Sequence, residues 1–196
     1  MNRAVLVRHA ESEASAAGIL NGIAALEVGL TEAGRAQSRA LAARLPALDL
    51  VATSEFRRAV DTAELAAPDV PRLVLPDLNE IGFGAYEGGL YLPYREWAGS
   101  AGPADPCPGE GESRVDAVHR YVRAFRTLLQ RPEPAVLVVA HGLVVRYVLN
   151  ALEGLDPAPL LDGVPCAEPY ELDAGELDRA VARLEAWALA PRWDSP

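Results

Sequence analysis

Ala4-Val5-Leu6-Val7-Arg8-His9-Ala10-Glu11-Ser12 is the stretch on which the fold of this chain depends. An apolar run with the length of one buried strand ends abruptly in Arg8 and His9. Buried parallel strands are nearly continuous aliphatic runs, and such a run does not carry an arginine and an imidazole through a core. The pair is therefore predicted to emerge at the carboxyl end of the strand, the edge where open α/β sheets bind ligands.

The same pattern recurs late in the chain. There the apolar residues 136–140 lead directly into His141 and Gly142. Two apolar strands that each deliver a histidine to one edge of a sheet predict a shared site. If the two strands are neighbours, His9 and His141 face each other across one pocket.

The composition fits a single globular domain over 1–196 that binds neither nucleic acid nor a membrane. Half of the 196 residues are hydrophobic and the formal net charge is −10, which disfavours polyanionic partners. No segment approaches the roughly 18 apolar residues of a membrane span, and the N-terminus does not resemble a signal peptide. A cytoplasmic location is predicted. Cys107 and Cys166 lack metal-binding spacing, so buried or incidental thiols are favoured over a disulfide or a zinc site.

Strands that alternate with helices predict an α/β fold, a three-layer α/β/α sandwich with a mostly parallel central sheet. Helices are predicted over 31–45, 55–67, 112–130 and 143–152, with short strands at 48–52 and 72–75. Residues 77–111 break this rhythm with many glycines and an aromatic cluster, so they are predicted to be a partly irregular, functional segment. Toward the end, 168–173 is predicted as a strand and 176–190 as a helix or an edge strand.

Arginine beside histidine at a strand end is typical of an oxyanion site. Guanidinium binds phosphate through paired hydrogen bonds, and a cationic pocket stabilises a phosphoryl group during transfer. An imidazole in such a pocket is a good nucleophile near neutral pH. Ser54 and Arg58, after the second strand, are predicted to meet Arg8 there. A metal site is disfavoured, because Glu11 and Glu13 near His9 do not form a metal-binding spacing.

Several blocks of the sequence resemble the histidine phosphatases, the phosphoglycerate mutase-like superfamily. They occur in the family's order and cover most of the chain. The blocks are Leu6-Val7-Arg8-His9-Ala10-Glu11-Ser12, Gly29-Leu30-Thr31-Glu32-Ala33-Gly34, residues 54–63 with the pattern Ser-x-x-x-Arg-Ala-x-x-Thr-Ala, residues 78–88 with Leu-x-Glu and a later Glu-Gly, Gly111-Glu112-Ser113, and Val139-Ala140-His141-Gly142.

The resemblance implies a role for five residues. His9 would be the nucleophile that forms a phosphohistidine. Arg8, Arg58 and His141 would hold the phosphate oxygens. Glu80 would protonate the leaving alkoxide and then deprotonate the attacking water. The reaction would need neither a metal nor another cofactor.

Further positions carry weaker implications. Asn21 and Gly22 fall where the family presents a side chain and a backbone N–H to the phosphate, and the Gly142 N–H begins a helix whose positive end favours an anion. Glu87 competes with Glu80 for the role of proton donor. His119, in the long helix, matches no family block and is predicted to be exposed.

The chain also departs from the family pattern. Ala10 replaces the motif glycine, which calls into question any positive φ at that position. Ser15 stands where many members carry asparagine, and Ile19 where many carry arginine, so weaker phosphate contacts are expected there. Tyr91 is a candidate to cover the organic part of the substrate, although the aromatic cluster would also serve simply to pack this segment onto the core.

The implied function is hydrolysis of a small phosphomonoester. Residues 89–111 contain Arg95 as their single cation, which disfavours the alternative of phosphoglycerate mutase-type transfer. A catalytically inactive phosphate-binding or regulatory protein remains a second alternative, and a homodimer is left open. From Glu153 onward ten acidic residues face three arginines, so this tail is predicted to lie mainly away from the pocket.

Overall fold

The computed structural model of this chain describes residues 1–193. Its strands are β1 (Arg3–Arg8), β2 (Leu50–Thr53), β3 (Arg72–Val74), β4 (Ala135–Ala140) and β5 (Pro169–Asp173). Its helices are α1 (Glu13–Ala16), α2 (Glu32–Ala42), α3 (Arg57–Ala66), α4 (Tyr91–Ser100), α5 (Arg114–Leu129), α6 (Gly142–Leu152) and α7 (Ala174–Leu189). Short 3-10 turns occupy Pro76–Leu78 and Gly84–Tyr86.

The strands form one mixed sheet in the order β3-β2-β4-β1-β5. The pairs β2–β3, β2–β4 and β1–β4 are parallel, and β5 runs antiparallel to β1 at one edge. The predicted fold class is therefore confirmed, and so is the expectation that β1 and β4 are neighbours. Because β1, β2 and β4 are parallel, their carboxyl ends meet at one edge of the sheet.

Alternating side chains of the sheet build two apolar layers. Ala4 and Leu6 of β1 belong to the larger core, which packs against α5, α6 and α7, whereas Val5 and Val7 belong to the smaller core beneath α2 and α3. Successive residues of a strand point to opposite faces, so a strand covered on both faces must be apolar at every position. That explains why β1 is a continuous apolar run until Arg8.

The later elements settle the ambiguities of the sequence. Residues 174–189 form helix α7 rather than an edge strand, with Asp173 as its N-cap, and the edge strand is β5. The segment 77–111 is more regular than expected, because it contains the ten-residue helix α4. Cys107 and Cys166 are both free thiols. Among residues 1–193, no helix has the length and apolar character needed to cross a membrane.

Candidate functional site

The two motif histidines meet at the carboxyl ends of β1 and β4. Arg8 pairs with Ala140 as the last step of the parallel ladder, and the His9 N–H donates to the Ala140 carbonyl over 2.9 Å. His9 and His141 directly follow this last pair, so they lie at the same level along the sheet edge. The two imidazole rings stand edge to face with centroids 5.2 Å apart.

His9 is held in one tautomer. Its Nδ1 lies 2.7 Å from the Ala10 carbonyl oxygen, which accepts only, so Nδ1 carries the proton. Its Nε2 accepts a hydrogen bond from Arg58 Nε over 3.0 Å. Burial, and then the charges of Arg58 and Arg8, hold the pKa of His9 well below its ordinary value. The ring is therefore neutral, with its lone pair on Nε2.

Ala10 fits this arrangement without a glycine. Within residues 1–193 the non-glycine residues with positive φ are Glu110 and Ala167, so the backbone at Ala10 does not need a glycine's freedom. Its N–H donates to the Thr62 hydroxyl over 3.0 Å, and its methyl group is fully buried. The glycine at this motif position is thus replaced here without backbone strain.

Arg58 connects the two histidines to the loop after α1. Besides its bond to His9, its Nη2 donates to the Asn21 carbonyl over 2.9 Å and to His141 Nδ1 over 3.3 Å, while Nη1 donates to the Asn21 side-chain oxygen. The guanidinium lies 4.3 Å from the ring centroid of Phe56 and is nearly inaccessible to solvent. Burial lowers the pKa of Arg58 to about 10 against the opposing effect of Glu80, so it remains cationic at neutral pH.

His141 is the N-cap of α6 and is fully buried. Because Arg58 donates to its Nδ1, its Nε2 carries the proton and donates to the Ser54 hydroxyl oxygen 2.8 Å away. Phe56 packs edge to face against the ring at 4.7 Å. Burial, followed chiefly by the charge of Arg58, holds the pKa of His141 well below its ordinary value.

Arg8 supplies the second cation next to His9. Its Nη1 donates to the Val164 carbonyl over 2.7 Å, and its Nε is buried without a hydrogen-bond partner among the described residues. A Cβ on Gly142 would stand 3.6 Å from that Nε, so the backbone at the start of α6 and the Arg8 guanidinium are close neighbours. The N–H groups of the Arg8 guanidinium and those of the backbone at the start of α6 therefore lie close together next to His9. This arrangement suits an anion.

Glu80 lines the cavity, on a segment anchored by Arg120 of α5. Arg120 donates to the backbone carbonyls of Asp77, Asn79 and Glu80. The bonds to Asp77 and to Glu80 are both 3.1 Å long. Arg120 also forms a two-pronged ion pair with Glu112, at 2.6 and 2.7 Å. Glu112, the glutamate of the Gly111-Glu112-Ser113 block, thereby orients the arginine that anchors the Glu80 backbone.

Glu87 and Gly22 bond to each other. The Gly22 N–H donates to the Glu87 carboxylate, and neither residue belongs to the cavity wall. The expectation that Gly22 presents its N–H to a phosphate therefore does not fit this structure, because that donor already has an anionic partner. Glu87 acts as the anchor of the loop, which leaves Glu80 as the carboxylate of the pair that faces the cavity.

A cavity of about 450 Å³ opens over these groups. Eight of the predicted site residues line this cavity: Arg8, His9, Ser15, Asn21, Arg58, Glu80, Tyr91 and Gly142. A ninth, His141, lies behind the wall, where it contacts Arg58 and the His9 ring. The Ser15 hydroxyl is engaged with Ser12 in the capping box of α1, at 2.8 Å from the Ser12 nitrogen. Tyr91 stands at the exposed rim, and Ile19 joins it there.

Three arginines on the wall were missed by the sequence analysis: Arg95, Arg114 and Arg146. Two of them had a positional signal. Arg114 is the first residue of α5, directly after the Gly111-Glu112-Ser113 block, and Arg146 lies one helical turn after Gly142 on the same face of α6.

The prediction that the acidic tail lies mainly away from the pocket is wrong for residues 159–164. Five of these six line the cavity, and their contacts to the arginines are made by backbone carbonyls rather than by charged side chains. Arg146, for example, donates to the carbonyls of Asp162 and Gly163 over 3.1 and 2.9 Å. The rest of the tail follows the prediction, since α7 packs against α5 and α6.

Metal-binding side chains do not gather in this region or elsewhere in residues 1–193. No group of three or more histidine, cysteine, aspartate or glutamate side chains stands close enough to hold a metal ion. The third histidine, His119, is exposed, as expected from its place on α5.

Comparison with known proteins identifies a family and several proteins to which this chain is similar. The family model of the histidine phosphatase superfamily (branch 1) matches residues 4–186. The adenosylcobalamin/alpha-ribazole phosphatase of Salmonella typhimurium is 34% identical over 79% of this chain and 81% of its own length. A 2,3-bisphosphoglycerate-dependent phosphoglycerate mutase of Brucella melitensis is 33% identical, covering 92% of this chain and 96% of the mutase. The crystal structure of the alpha-ribazole phosphatase from Shigella flexneri superposes with a TM-score of 0.74 at 27% identity, covering 87% of this chain and 90% of that one.

Proposed function

This chain belongs to the histidine phosphatase superfamily, and we propose that its cavity hydrolyses phosphomonoesters through a phosphohistidine on His9. Its similarity to phosphatases of small phosphorylated metabolites makes it a hydrolase of that kind. One observation carries the assignment of the nucleophile. The Nε2 lone pair of a neutral, buried His9 accepts a hydrogen bond from Arg58 Nε, and the Ala10 carbonyl holds the ring proton on the opposite nitrogen.

In the first step His9 Nε2 attacks the phosphorus atom. A bond forms between Nε2 and phosphorus while the bond from phosphorus to the ester oxygen breaks. The phosphoryl group displaces the hydrogen bond from Arg58 Nε, and the guanidinium is then placed beside a phosphoryl oxygen. Glu80, in its protonated form, gives its proton to the departing ester oxygen, so that an alcohol leaves rather than an alkoxide.

The second step regenerates the enzyme. Glu80, now a carboxylate, removes a proton from a water molecule whose oxygen attacks the phosphorus of the phosphohistidine. The bond between phosphorus and Nε2 breaks, its electron pair returns to His9, and inorganic phosphate leaves. One carboxylate thus serves as acid and then as base, and Arg120 is the residue that keeps it in place.

The phosphoryl oxygens are held by cationic and backbone donors. Arg8, with its buried and unpartnered Nε, and Arg58 provide the charge that offsets the developing negative charge in the transition state. The Gly142 N–H at the start of α6 adds the positive end of a helix. Asn21 orients Arg58, and His141 packs behind the wall against His9, with its ring nitrogens bonded to Ser54 and Arg58.

Phosphoglycerate mutase-type transfer is the second candidate, favoured by the 33% identity to a mutase over most of the chain. The two reactions share the phosphohistidine and differ in what accepts the phosphoryl group, water or a second sugar-acid hydroxyl. A cytoplasmic location, the absence of a nucleic-acid partner and a homodimer stay predictions.

Turnover of p-nitrophenyl phosphate in excess chelator tests the proposal. We expect metal-independent release of phosphate that His9→Ala abolishes. His119→Ala is the matched control, since it removes the exposed histidine and should leave the rate unchanged. In Glu80→Gln an acid-labile, base-stable phosphoenzyme should accumulate, because the water is no longer deprotonated.

Two results would contradict the proposal. Loss of activity with chelator would indicate metal-dependent chemistry, and absence of turnover across a broad phosphomonoester panel would favour an inactive phosphate-binding protein. Conversion of 3-phosphoglycerate to its 2-isomer faster than its hydrolysis would assign the mutase reaction instead.

A further inference from the structure

The Gly29-Leu30-Thr31-Glu32-Ala33-Gly34 block of the sequence lies away from the catalytic cavity. Within the described residues 1–193, the cavity wall takes no residue from this block. Its second half begins helix α2, with Thr31 as the N-cap, and α2 is bound to the residues that follow His9. The helix therefore reaches the site through the loop that carries the nucleophile.

Helix α2 holds Glu11 by its N–H, its carbonyl and its carboxylate. The carbonyl accepts from the Thr31 N–H over 3.1 Å, and the carboxylate accepts from the Thr31 hydroxyl over 2.7 Å. The Glu11 N–H donates to the side-chain oxygen of half-buried Gln37 over 2.9 Å. A Cβ on Gly34 would collide with the Glu11 carbonyl oxygen, so the glycine allows helix and loop to lie in direct contact.

The contact from Gln37 continues to the reacting imidazole. The Glu11 N–H and the Ala10 carbonyl belong to one peptide group, which is planar, so fixing the N–H also fixes the direction of the C=O. The Ala10 carbonyl oxygen lies 2.7 Å from His9 Nδ1 and accepts a hydrogen bond from it. One rigid unit therefore joins the Gln37 side chain to the His9 ring, and hydrogen bonds at its two ends polarise and strengthen each other.

A second side chain holds the other side of Ala10. The fully buried Thr62 hydroxyl accepts from the Ala10 N–H over 3.0 Å and donates to the Arg58 carbonyl over 2.7 Å. Thr62 therefore fixes the peptide group between His9 and Ala10, whereas Gln37 fixes the following one, whose carbonyl faces the ring. Of the two side chains, Gln37 acts on the hydrogen bond of the imidazole.

The bond between His9 Nδ1 and the Ala10 carbonyl gains importance during the reaction. In the free enzyme Arg58 Nε also fixes the tautomer, because it donates to Nε2. A phosphoryl group that approaches Nε2 displaces this donor. The Ala10 carbonyl then keeps the proton on Nδ1, and it stabilises the positive charge that the ring acquires when Nε2 bonds to phosphorus.

We propose that Gln37 is a positioning residue for the nucleophile: it orients the peptide group between Ala10 and Glu11 so that the Ala10 carbonyl holds His9 in its reactive tautomer and orientation. This inference rests on the proposed function, because it concerns how the same His9 reacts. Gln37 is not a wall residue in the described part of the chain. It should therefore govern the rate of attack on phosphorus and not the binding of phosphate.

Gln37→Met tests this role, because methionine has nearly the shape of glutamine and lacks the amide oxygen. Loss of orientation at a reacting group predicts that phosphoenzyme formation from p-nitrophenyl phosphate, followed by rapid quench, slows roughly tenfold or more. The inhibition constant of inorganic phosphate should stay within roughly twofold of the wild-type value, since Arg8 and Arg58 are untouched. In NMR spectra the His9 Nδ1–H proton, assigned by its absence in His9→Gln, should exchange with solvent faster than in the wild type.

Ser38→Ala is the matched control. Ser38 follows Gln37 in α2, is fully buried, and donates its hydroxyl to the Gly34 carbonyl over 2.9 Å. The variant removes a hydrogen bond of the same helix and none to the loop, so the rate and the Nδ1–H exchange should both stay unchanged.

Two further variants separate the acceptor oxygen from the rest of the side chain. Gln37→Glu keeps an acceptor at the same reach and should retain a rate within roughly threefold of the wild type. Gln37→Asn draws the amide back by one methylene and should be as slow as Gln37→Met. It also replaces Gln37→Met if that variant does not fold.

The outcomes distinguish the positioning role from the function. Unchanged phosphoenzyme formation in Gln37→Met overturns the positioning role and leaves the phosphatase assignment intact. A slower rate with an equal weakening of phosphate binding also overturns it, because the whole cavity would then be distorted. If Gln37→Glu is as slow as Gln37→Met, the acceptor oxygen is not the cause and the proposal is wrong. Absence of a phosphoenzyme in the wild type overturns the proposed function itself.

Discussion

Arg58→Met is expected to remove most of the activity while changing the stability of the fold by no more than about 2 kcal/mol. Burial is the main reason that the pKa of Arg58 falls from its ordinary value to about 10, with Glu80 opposing the fall and Arg8 adding to it. Both values lie above neutral pH, so the cation is present in the folded and the unfolded chain. The difference then means that the folded state holds this charge at a cost of roughly 3 kcal/mol.

Methionine removes that cost and some favourable contacts with it. The Arg58 side chain donates to both oxygens of Asn21 and to one nitrogen of each histidine, and each such bond contributes about 1 kcal/mol. A methionine side chain refills the apolar contact with Phe56. The removed burial cost and the lost hydrogen bonds nearly cancel, so we expect the free energy of unfolding to change by no more than about 2 kcal/mol in either direction, which shifts Tm by at most about 6 °C.

The catalytic loss should be large. Removing one preorganised donor from a water-excluded site costs roughly 10²–10³ in kcat, and Arg58 supplies both a donor and a full charge, so a fall of about 10³ in kcat/KM is expected. The pKa values of His9 and His141 should both rise, since Arg58 is the largest influence on each after burial. NMR titration of His9 and His141 measures this directly.

The same pKa values give the pH dependence of stability. Below about pH 6.5 the unfolded chain protonates its histidines while folded His9 and His141 stay neutral, so the free energy of unfolding falls as the pH falls. In Arg58→Met this dependence should weaken. Arg57→Met, at the exposed neighbour, is the control and should alter neither activity nor titration. Destabilisation by more than about 2 kcal/mol, or an unchanged titration of His9, would refute the reasoning.

Three further substitutions have defined outcomes. Arg120→Lys removes the guanidinium donors that anchor the Glu80 backbone, so kcat should fall roughly tenfold with KM nearly constant. The pH–rate profile should shift, and rapid-quench experiments should show a phosphoenzyme that persists longer. Ala10→Gly loses a buried methyl group and gains backbone freedom, so calorimetry should show a loss of roughly 1–2 kcal/mol with kcat unchanged. Gly34→Ala places a Cβ only 2.0 Å from the Glu11 carbonyl oxygen and should destabilise by roughly 2–3 kcal/mol, whereas Gly29→Ala, which has open space, should not.

The fold and the meeting of the two histidines at one sheet edge were predictable because both follow from local rules. A strand buried on both faces has to be apolar throughout, so the first charged residue after residues 4–7 marks where the strand leaves the core. The same rule applied to β4 placed His141 at the same edge as His9. The sequence did not show that the two strands are neighbours. The structure does, because β1 pairs in parallel with β4 from Arg3 to Arg8.

Choices among chemically equivalent side chains were not predictable in this way. Glu80 and Glu87 are both carboxylates in one glycine-rich segment, and their difference arises from distant partners. Glu87 accepts from Gly22, 65 residues away, while Glu80 is positioned through Arg120, 40 residues away. No periodicity or spacing within the segment reports such contacts, because they depend on how α5 and the loop after α1 are brought together.

The prediction for the tail holds for most of its length and fails at residues 159–164 for a different reason. It summed the charges of side chains from Glu153 onward and treated the segment as a body that repels phosphate. In the structure the part that reaches the cavity turns its carbonyl oxygens to the arginines, and the Asp162 side chain is exposed. Carbonyl dipoles hold Arg8 and Arg146 in place without neutralising them. A segment that is acidic in composition therefore helps to keep the cavity cationic, and only the backbone geometry reveals this.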